Sequence, residues 1–284
     1  MKQTYLPIAL ALLWFASACS SEPDDAIPVP ADFDSTDAIE RSLAAMEGLT
    51  SYRQEFTFRP SGEPVTLLTD YADPGDYHER LLATGNITDT FEVILLSDST
   101  YSRSCNDYPD DCEEWEESAG RPVIPGAGGF TTVGPETLGL VALEQTESPR
   151  AVKTDEIEGE ALLHLRGSLN IGRTIYENQR AALRPGERFS ETCRSSGGTG
   201  ETSQTVCEDL TIEEYYEREA GGTDFEDTPA TTIDIWISAQ DYLVRRVVIA
   251  RGALISGTEE ISAEDRYFEV TYSHFNEVSV EAPR

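Results

Sequence analysis

Basic residues are scarce in this chain. Its 284 residues hold 21 Lys and Arg against 53 Asp and Glu, a formal charge of −32. Phosphate backbones are bound through clustered Lys and Arg, and anionic membrane surfaces through polybasic patches. The balance therefore argues against nucleic acid as a partner and against docking on a membrane by charge. Histidine is sparser still: His78, His164 and His274 are the only 3. None shows His-x-x-x-His spacing or stands beside a cysteine, so the usual zinc frameworks are missing. No Gly-x-Ser-x-Gly elbow occurs, and Gly126-Ala127-Gly128-Gly129 lacks the Gly-Lys-Ser/Thr ending of a phosphate loop. Carboxylates are plentiful, but no spacing singles out a general acid/base pair. The run Glu213 to Asp227 carries no calcium-loop pattern and reads as a solvated acidic face. These absences point away from an enzyme and from any resident cofactor or metal. His164, within Leu-Leu-His-Leu-Arg, is expected to be a strand residue and not a base.

Apolar runs of membrane-spanning length are missing too. Leu6 to Ala16 has 11 residues, where a spanning helix needs about 20. That length, after the positive Lys2, suits the apolar core of an export signal. The run closes on Ala16-Ser17-Ala18-Cys19. Small residues directly before a cysteine resemble the lipobox of bacterial lipoproteins, with Ala16 standing where Leu is usual. The resemblance implies that Cys19 is lipidated and becomes the mature N-terminus. Each buried CH₂ contributes about 0.8 kcal/mol, so two or more acyl chains would anchor the protein stably. Ser20 to Phe33 is acidic, proline-rich and without apolar period; as a coil it reaches roughly 20 Å. Residues 1–18 are thus read as a leader, 19–33 as a flexible tether and 34–284 as one domain. The expected location is the bacterial cell envelope, on the outer face of the cytoplasmic membrane or at the outer membrane. The 39% hydrophobic and 9% aromatic content is enough for a substantial core.

With Cys19 set aside, Cys105, Cys112, Cys193 and Cys207 remain, an even number in an exported chain. Four cysteines allow three pairings. Local pairing is the most economical expectation, Cys105 with Cys112 and Cys193 with Cys207, each closing a polar loop. A loop of about 15 residues gains on the order of 3 kcal/mol in the chain-entropy picture. Neither spacing matches paired zinc ligands.

Hydrophobic period supplies the rest. Ile39, Leu43 and Met46 recur at helical spacing after a Ser35-Thr36-Asp37 cap, and Gly48 ends the run. From Thr50 the period becomes two. Tyr52, Phe56 and Phe58 alternate with polar residues, as do Val65, Leu67 and Tyr71; Tyr77, Glu79, Leu81 and Ala83 alternate less cleanly. Phe91 to Leu96 reads as a buried strand and Thr100 to Arg103 as its partner, so the first third is an antiparallel meander. Arg121 to Phe130 lies in a glycine-proline loop. Glu136 to Gln145 and Ile175 to Leu183 are helix candidates around a strand at Ala161 to Leu169. Residues 184–228 form a polar insertion placed on the surface. Strands at Thr232 to Ile237, Tyr242 to Ile249 and Phe268 to Ser273 close the chain.

Three phrases carry a further resemblance: Ala44-Ala45-Met46-Glu47-Gly48-Leu49-Thr50-Ser51-Tyr52, Ile235-Trp236-Ile237 with Asp241-Tyr242-Leu243-Val244-Arg245-Arg246, and Thr271-Tyr272-Ser273-His274-Phe275-Asn276-Glu277-Val278. They are similar to phrases of LppX/LprG-type lipoproteins and, more distantly, of the LolA carrier and the RseB sensor. Val278 stands where that pattern usually has proline. The resemblance spans residues 34–281 apart from the insertion. It implies an α+β fold: a strongly curved antiparallel half-barrel whose concave face is covered by helices. It also implies an apolar space between sheet and helices that holds the acyl chains of a lipid or acylated ligand. The residues to line it are Tyr52, Phe56, Phe58, Leu67, Tyr71, Phe91, Val93, Leu95, Ile233, Ile235, Phe268 and Val270. Alternation of this kind is what any half-buried sheet shows, so a filled core and a lined hollow both satisfy it. The expectation is a monomeric, membrane-tethered lipid carrier or presenter. The alternatives are an envelope sensor or protein-interaction module on the same scaffold, and a hydrolase. The Arg121 to Phe130 loop is a candidate portal.

Overall fold

The structure, a computed structural model, describes residues 33–59, 64–73, 76–82, 90–97, 99–107, 109–119, 138–157, 159–181, 190–196, 204–218, 222, 225, 228–252 and 254–283. In chain order these form α1 (Ser35–Glu47), β1 (Ser51–Phe58), β2 (Val65–Ala72), β3 (Asp76–Leu82), β4 (Thr90–Leu95) and β5 (Ser99–Asp107). Two short strands, β6 (Asp111–Cys112) and β7 (Glu116–Ala119), precede α2 (Leu138–Glu144), β8 (Glu147–Ile157), β9 (Glu160–Asn170) and α3 (Ile171–Ala181). A hairpin of β10 (Ser190–Ser196) and β11 (Gln204–Leu210) leads to α4 (Ile212–Arg218). The chain closes with β12 (Ala230–Ser238), β13 (Val244–Ala250) and β14 (Arg266–Ser273). One sheet of 12 strands runs β6-β5-β4-β3-β2-β1-β14-β13-β12-β9-β8, with β7 beside β5. The sheet is antiparallel, curved and unclosed, which makes the α+β half-barrel expected from the sequence. β10 and β11 stand apart as a second, two-stranded sheet.

Local chemistry explains the elements. The α1 stripe of Ala38, Ile39 and Met46 is buried against the sheet. Its cap is Asp34, one residue before the expected Ser35-Thr36-Asp37: Asp34 Oδ1 accepts from the Thr36 and Asp37 amides at 2.9 and 3.2 Å. A carboxylate there satisfies two otherwise orphan donors and complements the positive end of the helix. Gly139 in α2 weakens the helix by propensity, but it is where the helix meets β14. A Cβ at that position would lie 2.3 Å from the Tyr272 hydroxyl oxygen.

Alternation was most informative for strands buried on one face and least for edge strands. β8 was not anticipated, and its residues are partly buried or exposed throughout. It adds to β9 as the last strand of the sheet, where one face meets solvent and no apolar period is required. Within 184–228 the structure places the β10–β11 hairpin and α4. Ile212 and Tyr216 of that helix pack with Tyr176 of α3, so this stretch contributes a small aromatic cluster of its own. The leader and tether, Cys19, Ala83 and the Arg121 to Phe130 loop lie outside the described residues.

The outer, convex face is not simply solvent-facing. Residues 254–265 fold across β9, β12 and β13 there, and Ile261 seals against Leu162, Trp236, Val248 and Ala250. Beneath this flap sits a buried charge cluster. Arg166 grips Asp234 through Nε and Nη2, both at 2.6 Å, and the same guanidinium donates to the carbonyls of Gly257 and Glu259 in the flap. His164 stacks on Trp236 with ring centres 4.4 Å apart, and its Nε2 lies 3.1 Å from Asp234 Oδ1. Burial works to raise the Asp234 carboxyl, but bonding to Arg166 and His164 outweighs it and holds the group below the usual carboxylate range. Only Lys2 and Lys153 among the cations are lysine. The planar fork of arginine matches cross-strand carboxylates in a way an ammonium does not. Removing one partner of a buried pair strands the other charge, at about 3–5 kcal/mol. Asp234→Asn is therefore expected to lower stability by about that much in urea unfolding at neutral pH. It should also open the 254–265 flap to limited proteolysis; an unchanged midpoint would remove this pair from the account of the fold.

Candidate functional site

The register places all twelve expected lining positions on the concave face. Tyr52 faces Tyr71 across β1 and β2, Phe56 faces Leu67, and Phe56 and Phe58 face Val270 and Phe268 across β1 and β14. Ile233 and Ile235 continue this face through β12, and Val93 and Leu95 through β4. The structure then divides the set. Tyr52, Phe56, Leu67, Tyr71, Ile233, Ile235, Phe268 and Val270 belong to one packed core with Ala38, Ile39 and Met46 of α1 and Leu138, Ala142 and Leu143 of α2. Aromatic contacts lace that core: Tyr52 lies 5.1 Å from Tyr71 and 5.8 Å from Tyr272, and Phe56 lies 5.5 Å from Phe268. Val93 and Leu95 instead gather with Tyr77 in a separate buried cluster that includes no residue of a described helix, and the partly buried Phe91 packs against both it and the main core. Along β2 to β4 the inner face is incompletely covered, because Thr69, Leu81 and Phe91 keep part of their surface accessible.

Polar side chains interrupt this apolar surface along one rung. Gln54 pairs with Thr69, Thr69 with Glu79, and Glu79 with Val93 across β1 to β4. The rung was visible in sequence only as the blemish at Glu79 in an otherwise apolar alternation. Glu79 is 5% exposed and Gln54 8%. Glu79 Oε1 and Gln54 Oε1 are both buried and accept no hydrogen bond. Burial alone pushes the Glu79 carboxyl up to about 7. Burial also raises the Tyr52 hydroxyl, helped by Tyr272 and Tyr71. The sheet thus presents an apolar floor crossed by one band of unmet hydrogen-bond acceptors.

The remaining candidates lie elsewhere. Cys105 and Cys112 are disulfide-bonded across β5 and β6. Glu92 comes close to both sulfurs, but the thiols are consumed in the bond and the carboxylate is engaged by Arg103 and by His78 Nε2 at 3.1 Å. That group is a crosslinked ion cluster on the outer face and not a set of free metal ligands. The backbone register sets Cys193 directly opposite Cys207 in the β10–β11 hairpin. His78 and His164 stand on the outer face and His274 follows β14, where its Nδ1 is 2.9 Å from Ser273 Oγ. No described helix is long and apolar enough to cross a membrane.

No family model matches the chain, and no curated protein does either. Among solved structures the chain is similar to LprF from Mycobacterium bovis, at 12% identity over 88% of this chain and 96% of that one, with a TM-score of 0.48. It is also similar to the Mycobacterium tuberculosis lipoprotein LppX, at 14% identity over 86% of this chain and 97% of that one, with a TM-score of 0.44. A third likeness is to MucB in the Pseudomonas aeruginosa MucA/MucB complex, at 12% identity over 89% of this chain and 59% of that one, with a TM-score of 0.32.

Two measurements follow from this geometry. The folded state holds the Glu79 proton more tightly than the unfolded chain does. The resulting stability is complete below the ordinary value of 4.5 and is lost as pH rises to about 7. Glu79→Gln escapes that loss, so its stability relative to the parent should rise by about 3 kcal/mol between pH 4 and pH 8 in denaturant titrations. A difference that stays flat with pH would show that Glu79 is not buried as described. Peptide mapping without reductant should recover Cys193 linked to Cys207, because directly opposed strand positions have the Cα separation a disulfide needs. Recovery of both as free thiols would contradict the pairing.

Proposed function

We propose that the protein is an exported lipoprotein of the bacterial envelope, tethered through Cys19, that receives an acyl-bearing amphiphile on the concave face of its half-barrel and carries or presents it. The observation that carries this reading is the split in the inner face. Over β1, β9 and β12 to β14 the helices fill the concavity with side chains, leaving a packed core. Over β3 and β4 Tyr77, Val93 and Leu95 form a second buried cluster with no described helix residue in it, and Leu81 and Phe91, which pack against the helix-covered core, remain partly accessible. Apolar surface in a concave setting, part of it still accessible at Leu81 and Phe91, is the kind of place where a hydrocarbon chain replaces water at a gain of about 25 cal/mol per Å². The eight lining candidates in the packed core act as its floor; deeper entry requires α1 and α2 to lift. The reading is one of binding and not of catalysis, since the described ionisable groups around this surface are a lone buried carboxyl and tyrosines.

The leader supports the same assignment, because a lipid anchor and a roughly 20 Å tether would hold this opening within reach of a bilayer surface. Protein purified from a bacterial membrane without added lipid is expected to release acylated compounds on organic extraction, identified by mass spectrometry. After stripping it should take up an acyl-chain fluorophore with roughly one-to-one stoichiometry. Repeated recovery of empty protein that takes up no probe overturns carriage. Cys19→Ala is expected to move the protein from the membrane fraction to the soluble fraction while leaving probe uptake intact; retention in the membrane would refute lipid tethering at that residue.

A further inference from the structure

The polar rung has a consequence for which amphiphile is taken, on the condition that the concave face binds one at all. Gln54 and Glu79 lie one strand to either side of Thr69, so their side chains are set about 10 Å apart across the sheet. Each carries a buried oxygen that accepts no hydrogen bond. Buried acceptors are ordinarily satisfied, and two unmet on one rung mark a place where something else donates. Thr69 between them is only partly buried, so the rung is reachable. We propose that the rung Gln54–Thr69–Glu79 is the specificity element of the interior, and that it selects an uncharged amphiphile bearing hydroxyl groups over an anionic one.

The selection follows from what the rung offers. Hydroxyls on the ligand donate to the two waiting oxygens. A carboxylate or phosphate has no proton to give and brings a second negative charge against Glu79. No described inner-face side chain on these strands is a cation that would offset that charge. The inner-face titratable groups on these and the adjoining strands are Tyr52 on β1, Tyr71 on β2, Tyr77 on β3 and Tyr272 on β14, with none on β4. Asp70, His78, Arg80 and Glu92 all point to the opposite face. The chain's overall charge of −32 adds to the repulsion.

The experiment is competitive displacement of a naphthylamine probe from lipid-stripped full-length protein at pH 8, by monooleoylglycerol, oleate and oleylamine, which share one acyl length. The parent protein is expected to bind monooleoylglycerol at least tenfold more tightly than oleate. Glu79→Gln keeps shape and hydrogen-bonding capacity but removes the charge, and should shrink that ratio to below about threefold, chiefly by improving oleate. Gln54→Leu should instead weaken monooleoylglycerol several-fold and leave oleate unchanged. An unaltered ratio in both variants overturns the rung as a specificity element while leaving interior binding intact. Tighter binding of oleylamine than of monooleoylglycerol overturns the choice of an uncharged ligand. If the parent displaces the probe with none of the three, interior binding itself falls, and the rung with it.

Discussion

Every residue of a strand belongs to one face or the other, and in this sheet that alternation governs both core and candidate site. From β14 through β1 and β2 to β4, successive rungs hand each inward side chain the same fate whatever its chemistry. Phe56, Leu67 and Val270 accept it without penalty. Gln54 and Glu79 cannot step out of the row, because moving either would need a one-residue slip that turns the whole strand over. The polar rung is therefore held in place by the apolar rungs on each side of it.

The outer face shows how a strongly acidic chain can still bury carboxylates. Asp70 takes Arg53 and Arg80, Glu92 takes Arg103 and His78, and Asp234 takes Arg166. Arg246 covers Trp236 and reaches Glu260 and Glu269. The scarce cations are thus spent on cross-strand carboxylates, and the excess negative charge is left for solvent. Glu79 on the inner face has no such partner. That contrast separates the two sides of the sheet: charge on the outside is neutralised within the fold, whereas polarity on the inside is left open.

Much of this organisation is legible in the chain. Alternation located β1, β2, β4, β12 and β14 to within a few residues, because each hides most of one face. It failed at β8, an edge strand whose environment asks for no period, and the cap of α1 fell one residue before the expected Ser35-Thr36-Asp37 because four cap-forming residues stand in a row from Asp34 to Asp37. The lining candidates all fell on the expected face. Which of them pack with α1 and α2 and which gather in the separate β3–β4 cluster was not readable, since the approach of those helices is decided by contacts such as Gly139 against Tyr272, far apart in sequence.

By itself the sequence determined the sheet's two-faced character, the α+β class, the strongly acidic charge and the lipobox-like phrase at Cys19. These are local or compositional properties, carried by period, charge and short motifs. Only the tertiary structure decided that Gln54 and Glu79 share a rung and that Tyr77, Val93 and Leu95 form a cluster of their own. It likewise decided that residues 254–265 close over Arg166 and Asp234. Each of those depends on register and on segments remote along the chain, and no local pattern encodes which distant residue will be the neighbour.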